Sequence, residues 1–244
     1  MHIVTGGTHG IGRACVRELA RDGHRVIFTG RDRVAGEALA REAAGARYLE
    51  SDVASEADCR RVVAAAIEEG GGAIAGLVNN AGMSLRVEFA DSTAADWDRI
   101  FTVNARSAYL FTRLALPALV KARGAVVNVS SIAGKVGEEG LVLYTATKSA
   151  LIGLTQALAL EYGADVRFNA VCPGQVDTRM MANTMADAHA RRFLEARIPA
   201  GRFGRPEEIA QTICWLLSPA SSFVNGAVIT VDGGETAGLR KPRH

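Results

Sequence analysis

The chain predicts an α/β fold: a doubly wound parallel β-sheet of about seven strands with helices on both faces, forming a single domain over residues 1–244. Three observations carry this. Short apolar runs alternate with longer amphipathic ones along the whole length, the pattern of strands joined by crossover helices. Apolar residues make up 48% of the composition, enough for a sheet buried on both faces. At 244 residues, one hydrophobic core suffices.

The elements follow in order. A strand at 2–5 runs into a glycine-rich turn, and a helical segment begins at Arg13. Further strands are expected at 25–29, 47–50, 74–79, 125–130, 167–172 and 227–231. Gly70-Gly71-Gly72 reads as the loop before the fourth strand. Long helical stretches fall at 93–121 and 143–162, with another at 206–218. No linker or internal repeat interrupts the alternation. Ligands of such sheets bind beyond the C-terminal strand ends, where strand order reverses. The turn 6–12, the segment 79–82, Ser131 and the segment 173–178 each follow a strand, so they should gather at that edge.

Two motifs carry chemistry. The first is Gly6, Gly10 and Gly12 between a strand and a helix start. Backbone N–H groups and the helix dipole there make a cradle for a pyrophosphate. The spacing differs from the commoner G-x-G-x-x-G fingerprint, and the run taken alone could equally be an ordinary turn. The second is Tyr144 and Lys148, four residues apart and so on one helix face. A free phenol titrates near ~10, and a cation held beside it favours the phenolate. Such a tyrosine can protonate a developing alkoxide or take a proton from an alcohol.

Together these motifs resemble the short-chain dehydrogenase/reductase family over essentially the whole chain, in its compact TGxxxGxG/YxxxK subgroup. The match extends to Asp52, to Asn79-Asn80-Ala81-Gly82, to Asn104 and to Asn128-Val129-Ser130-Ser131. It continues through Pro173-Gly174 with Thr178 and Val231-Asp232-Gly233-Gly234. The resemblance implies a Rossmann-type sheet and hydride transfer between a nicotinamide and a carbonyl or secondary alcohol. It makes Tyr144 the general acid/base, and has Lys148 lower its pKa and hold the nicotinamide ribose. Ser131 would bind the substrate oxygen, and Asn104 would fix a water that passes the proton onward. The cofactor would be held by Gly6, Thr8, His9, Gly10, Ile11 and Gly12, and by Asp52 and Val53 at the adenine. Asn80, Ala81 and Gly82 would support the adenine side, with Pro173, Gly174, Val176 and Thr178 toward the nicotinamide. The family's aspartate before the Leu-Val-Asn-Asn strand is replaced here by Ala75-Gly76.

NADP(H) is favoured over NAD(H). Family members that use NAD commonly carry an acid where this chain has Gly30, and Arg31 offers a fork suited to phosphate. His9 sits where many NADP users place a second cation. Asp32 argues the other way unless it caps the following helix, the role assigned to it here.

Substrate choice is expected in 83–89, 133–143 and 179–200, the last a lid with Met180, Met181 and Met185, which suit an apolar substrate or simply pack the lid. Glu138 and Glu139 read as exposed loop carboxylates. Arg202-Phe203-Gly204-Arg205-Pro206 and the C-terminal motif resemble the 3-oxoacyl-carrier-protein reductase branch, which docks an acidic carrier on basic patches. Lys121 and Arg123 could supply half of such a patch, but Tyr162-Gly163-Ala164-Asp165 offers an acid where the other half belongs. That makes this branch the alternative. A non-catalytic nucleotide sensor on the same fold would have lost Tyr144, Lys148 or Ser131, and all three are present.

The net charge of +2 is spread along the chain, leaving no electrostatic case for nucleic acid or membrane partners. Cys15, Cys59, Cys172 and Cys214 show no CxxC spacing and read as buried thiols in a reducing, cytoplasmic setting. Five scattered histidines suggest no metal site. The basic stretch 240–244 reads as a solvated tail. A homotetramer is expected, because Leu110, Phe111, Leu114, Leu116, Leu151, Leu154, Leu158 and Leu160 exceed what one apolar helix stripe needs.

Overall fold

The structure, a computed structural model, describes residues 1–238, with the backbone alone at residue 183; the tail 240–244 lies outside the described residues. Strand β1 (His2–Val4) leads into helix α1 (Gly10–Arg21), then β2 (Val26–Gly30), α2 (Arg33–Glu42), β3 (Ala46–Glu50) and α3 (Glu56–Glu69). Next come β4 (Gly76–Asn79), α4 (Ala94–Phe101), α5 (Ser107–Ala122), β5 (Ala125–Val129) and α6 (Val142–Tyr162). The chain continues through β6 (Arg167–Pro173), α7 (Ala182–Ala186), α8 (Ala188–Arg197), α9 (Pro206–Leu217) and β7 (Val228–Val231). All pairings are parallel, in the order β3-β2-β1-β4-β5-β6-β7. The chain winds outward from β1 through β3, returns to β4 on the other side of β1, and winds outward again. The reversal between β1 and β4 is the switch point where doubly wound sheets bind ligands.

Alternation along the strands divides the core in two. Val4 and Phe28 point to one face and pack with Cys15, Val16, Leu19 and Ile213, from α1 and α9. Their neighbours Ile3 and Ile27 point to the other, against Cys59, Phe111, Leu119 and Phe168. Every residue of β1, β2, β4 and β5 is buried, as a sheet covered on both faces requires. The helices start where the caps allow. Asp32 accepts from Ala35 N at the head of α2, Ser55 does the same for Asp58 N at α3, and Thr93 with Asp96 closes a capping box at α4.

Several expectations need correction. The stretch 93–121 is not one helix, because a single π-turn, Thr102–Arg106, separates α4 from α5. Strand β4 begins at Gly76, not at 74. A Cβ on Gly76 would lie 2.4 Å from the His2 ring, which sits opposite it in register. The His2 ring fills the space beside Gly76. Of the apolar residues offered as surplus, Leu110, Phe111 and Leu151 are buried within the subunit, and Leu160 alone of the eight is exposed. Glu138 is not a free loop carboxylate, since it is half-buried and pairs with Arg86 at 3.3 Å. All four cysteines are free, and three of them are buried.

Candidate active site

The glycine turn is shaped by close approach. Gly6 and Gly10 have φ of +63° and +51°, and a Cβ on Gly12 would stand 2.3 Å from the Gly6 carbonyl oxygen. Only glycine fits there. The turn is braced from β4. Asn80 Nδ2 donates to Thr5 O at 2.9 Å and Gly6 O at 3.1 Å, while Thr5 Oγ1 accepts from Asn80 N and Ala81 N. The Asn80 side chain therefore holds the turn itself. His9 is the N-cap of α1 and makes no side-chain cap, so the helix N-terminus is left for another anion. Thr8 is buried and fills the space a side chain on Gly30 would occupy. These features fit a dinucleotide pyrophosphate.

The remaining cofactor candidates gather at the same sheet edge. Asp52 is exposed just beyond β3, and its Oδ1 accepts from Ala54 N at 3.0 Å. Val53 and Val176 are buried in the core clusters on the two faces of the sheet. Pro173 ends β6, and Gly174 abuts Asp232, 2.7 Å from where its Cβ would be. The two short motifs are thus packed as one unit. Thr178 touches Gly10, with its Cγ2 3.1 Å from a Cβ placed there. Arg31 is exposed at the end of β2, and Asp32 is indeed the N-cap of α2. A groove of about 300 Å³ opens over the first turns of α1, lined by His9, Gly10, Arg13, Arg17, Arg179 and Glu207 among others.

Ser131, Tyr144, Lys148 and Asn104 come together from β5's end, α6 and the π-turn. The Lys148 side chain is 4% exposed and its Nζ donates to Val129 O at 2.8 Å, 5.6 Å from the Tyr144 ring centroid. Ser130 Oγ donates to Lys148 O at 2.8 Å, locking α6 to the strand end. Asn104 is buried. Its Oδ1 accepts from Met83 N at 2.8 Å, and its Nδ2 donates to Met83 O and Thr147 Oγ1. Gly82 lies over both, 3.4 Å from Asn104 Oδ1 and from Lys148 Nζ measured at its Cβ position. π-turns of this kind recur at functional sites, and this one places Asn104 against the loop after β4.

The electrostatics depart from the simple expectation. Burial pushes the Tyr144 phenol up to about 12, and the neighbouring Ser131 hydroxyl only partly offsets this. Burial also lowers Lys148 to about 8. The ammonium is turned toward Val129 O, and burial is the main cause of the raised phenol. Thr5, Ser130, Thr147 and Arg179 were missing from the sequence-derived set. Thr5 stood within the glycine motif and Ser130 beside Ser131, so both were in view. Arg179 meets His9 across 170 positions, and no local pattern announces that. Among the described residues no group of histidine, cysteine and carboxylate side chains could hold a metal, and no helix is long and apolar enough to cross a membrane.

A parallel sheet with a glycine-built anion cradle at its switch point, and a tyrosine, lysine and serine beside it, defines a dinucleotide-dependent oxidoreductase. Comparison with known proteins agrees. A family model described as enoyl-(acyl carrier protein) reductase matches residues 6–236. The 2-(S)-hydroxypropyl-CoM dehydrogenase 3 of Xanthobacter autotrophicus is 39% identical, over 96% of this chain and 95% of its own. The 3-oxoacyl-[acyl-carrier-protein] reductase of Aquifex aeolicus is 38% identical over 95% of each. A solved structure titled short chain dehydrogenase/reductase family protein superposes with a TM-score of 0.88 at 36% identity, covering 97% of both chains. The chain belongs to the short-chain dehydrogenase/reductase family, and it is a nicotinamide-dependent enzyme acting on alcohol or carbonyl groups.

Proposed function

We propose that Tyr144 is the general acid/base of this enzyme, with NADP(H) as the favoured cofactor and a ketone or secondary alcohol as substrate. The observation that carries the reading is the meeting of the Tyr144 phenol with the Ser131 hydroxyl one helical turn from the buried Lys148. In reduction the phenol donates its proton to the substrate oxygen, while Ser131 stabilises the charge that develops there. A phenol kept near 12 is protonated throughout the neutral range, as a donor must be. Lys148 swings from Val129 O to the ribose and favours the phenolate as the proton leaves. Asn104 orders a water beside Gly82 through which a solvent proton reaches Lys148 as Lys148 passes its own to the Tyr144 phenolate. The nicotinamide, when bound, supplies or accepts the hydride.

NADP(H) preference rests on Gly30 in place of an acid, on Arg31, and on Asp32 being occupied as a helix cap. The segment 179–200 serves as a lid over the substrate. The named relatives act on different substrates, so a screen of ketones and alcohols, read at 340 nm, is the route to this one. The carrier-protein alternative gains nothing from Lys121, whose Nζ is tied to Gly71 O at 3.1 Å. Four free cysteines fit a reducing, cytoplasmic setting. Tyr144→Phe removes one oxygen and keeps the ring, so NADPH binding should stay within about twofold while turnover falls by at least ~100-fold. A variant retaining most of the wild-type kcat would overturn the assignment.

A further inference from the structure

His9, Asp32 and Arg179 meet at the mouth of the glycine turn from three distant parts of the chain. His9 Nε2 lies 2.8 Å from Asp32 Oδ2, and Arg179 Nη1 lies 2.7 Å from the same imidazole nitrogen and 3.4 Å from the same carboxylate oxygen. One imidazole nitrogen cannot serve both neighbours. Bearing a proton, it donates to Asp32 and turns an N–H toward the guanidinium, which has only donors to offer. Without one, it accepts from Arg179 and faces the carboxylate lone pairs. Either way one contact is unsatisfied. Asp32 cannot resolve this by moving, because its other oxygen is fixed by Ala35 N at 3.1 Å.

Asp32 Oδ2 is the anionic acceptor that His9 and Arg179 share, and a second anion beside it would give the guanidinium an acceptor of its own. The position is suggestive. Thr178, one residue before Arg179, lies beside Gly10, its Cγ2 3.1 Å from where a Cβ there would stand, so Arg179 leaves the backbone next to the glycine turn. Arg31 stands exposed one residue before Asp32. A phosphate on the adenosine ribose 2′-oxygen, at the end of β2, would arrive among these cations.

We propose that Arg179 is a specificity-determining ligand of the cofactor's 2′-phosphate, moving from His9 and Asp32 onto the phosphate when it binds. This rests on the NADP(H) reading above. It gives the segment 179–200 a direct sense of which nucleotide is present, since that segment starts at the residue that contacts the phosphate.

The test uses nucleotides without a nicotinamide, so that binding is read apart from turnover. Adenosine 2′,5′-bisphosphate and 5′-AMP are titrated calorimetrically into the wild type, Arg179→Ala, Arg179→Lys and Arg31→Ala. Arg179→Ala should lose about tenfold for the bisphosphate, the low end for a charge-assisted hydrogen bond at an exposed site, and less than about twofold for 5′-AMP. Arg179→Lys should recover part of the loss by restoring the charge. A bisphosphate affinity unchanged in Arg179→Ala, or falling equally for both nucleotides, would overturn the proposal. If Arg31→Ala alone lost the bisphosphate, the NADP(H) reading would stand and only the role of Arg179 would fail. A wild type that bound both nucleotides equally would remove the NADP(H) reading itself, and this proposal with it.

Discussion

At the scale of single residues, Lys148 has two opposed demands placed on it. In the proposed mechanism its charge holds a ribose and favours a phenolate, yet burial lowers its pKa to about 8. The ammonium is therefore present below pH 8 and is lost as the pH rises through that value. Tyr144, near 12, keeps its proton throughout the same range. The kcat/KM for NADPH, which reports free-enzyme groups, should be flat below about pH 8 and fall about tenfold per pH unit above it. A profile level to pH 10 would show that the charge of Lys148 is not needed for capture of the cofactor. The Tyr144–Lys148 pair was legible because i,i+4 spacing fixes a shared helix face. Its electrostatics were not, since desolvation depends on Val129, Ser130 and Gly82, which arrive from other segments. Asn104 was legible as a position, but its three side-chain bonds to Met83 and Thr147 depend on the π-turn, which carries no periodic signal.

At the scale of elements, seven strands were readable within about two residues because short apolar and β-branched runs mark them, the inner ones buried on both faces and the edge strands β3 and β7 only partly buried. The error at β4 has a physical source. Ile74 and Ala75 continue the apolar run, but the ladder starts only where His2 lies opposite Gly76. That pair also makes β1 sensitive to acid. Burial holds His2 down at about 3, with His24 and the N-terminal ammonium adding to the effect. The unfolded chain titrates near ~6.5, so between pH 6.5 and 3 it binds a proton that the folded state refuses. Stability from this group is complete above pH 6.5 and is lost as the pH falls toward 3. His2→Leu keeps an apolar filler against Gly76 and removes the titration. Its melting temperature should decline less than that of the wild type between pH 6.5 and 4. Parallel acid limbs for the two proteins would show that His2 does not contribute.

At the scale of the whole molecule, the two helices that prompted a homotetramer give a narrower argument than their composition suggested. Periodicity cannot distinguish a leucine buried under its own sheet from one facing a partner, and Leu110, Phe111 and Leu151 prove to be of the first kind. On these helices Tyr109, Val142 and Leu160 are exposed, the last 90% so, and Leu114, Leu116, Leu154 and Leu158 are partly buried. On the α9 side Trp215 and Phe223 are exposed, next to the edge strand β7. An unpaired edge strand is itself a liability that proteins cover, and large exposed apolar side chains mark interfaces when they cluster. Two such faces, each repeated around its own two-fold axis, close four chains into one assembly and leave neither face free. Light scattering at micromolar concentration should return the mass of four chains. Leu160→Glu and Phe223→Glu each place a charge on one face only, so each should leave a dimer held by the other. A wild-type monomer at that concentration would end the proposal, and a tetramer unaffected by both substitutions would move the interfaces elsewhere on the surface.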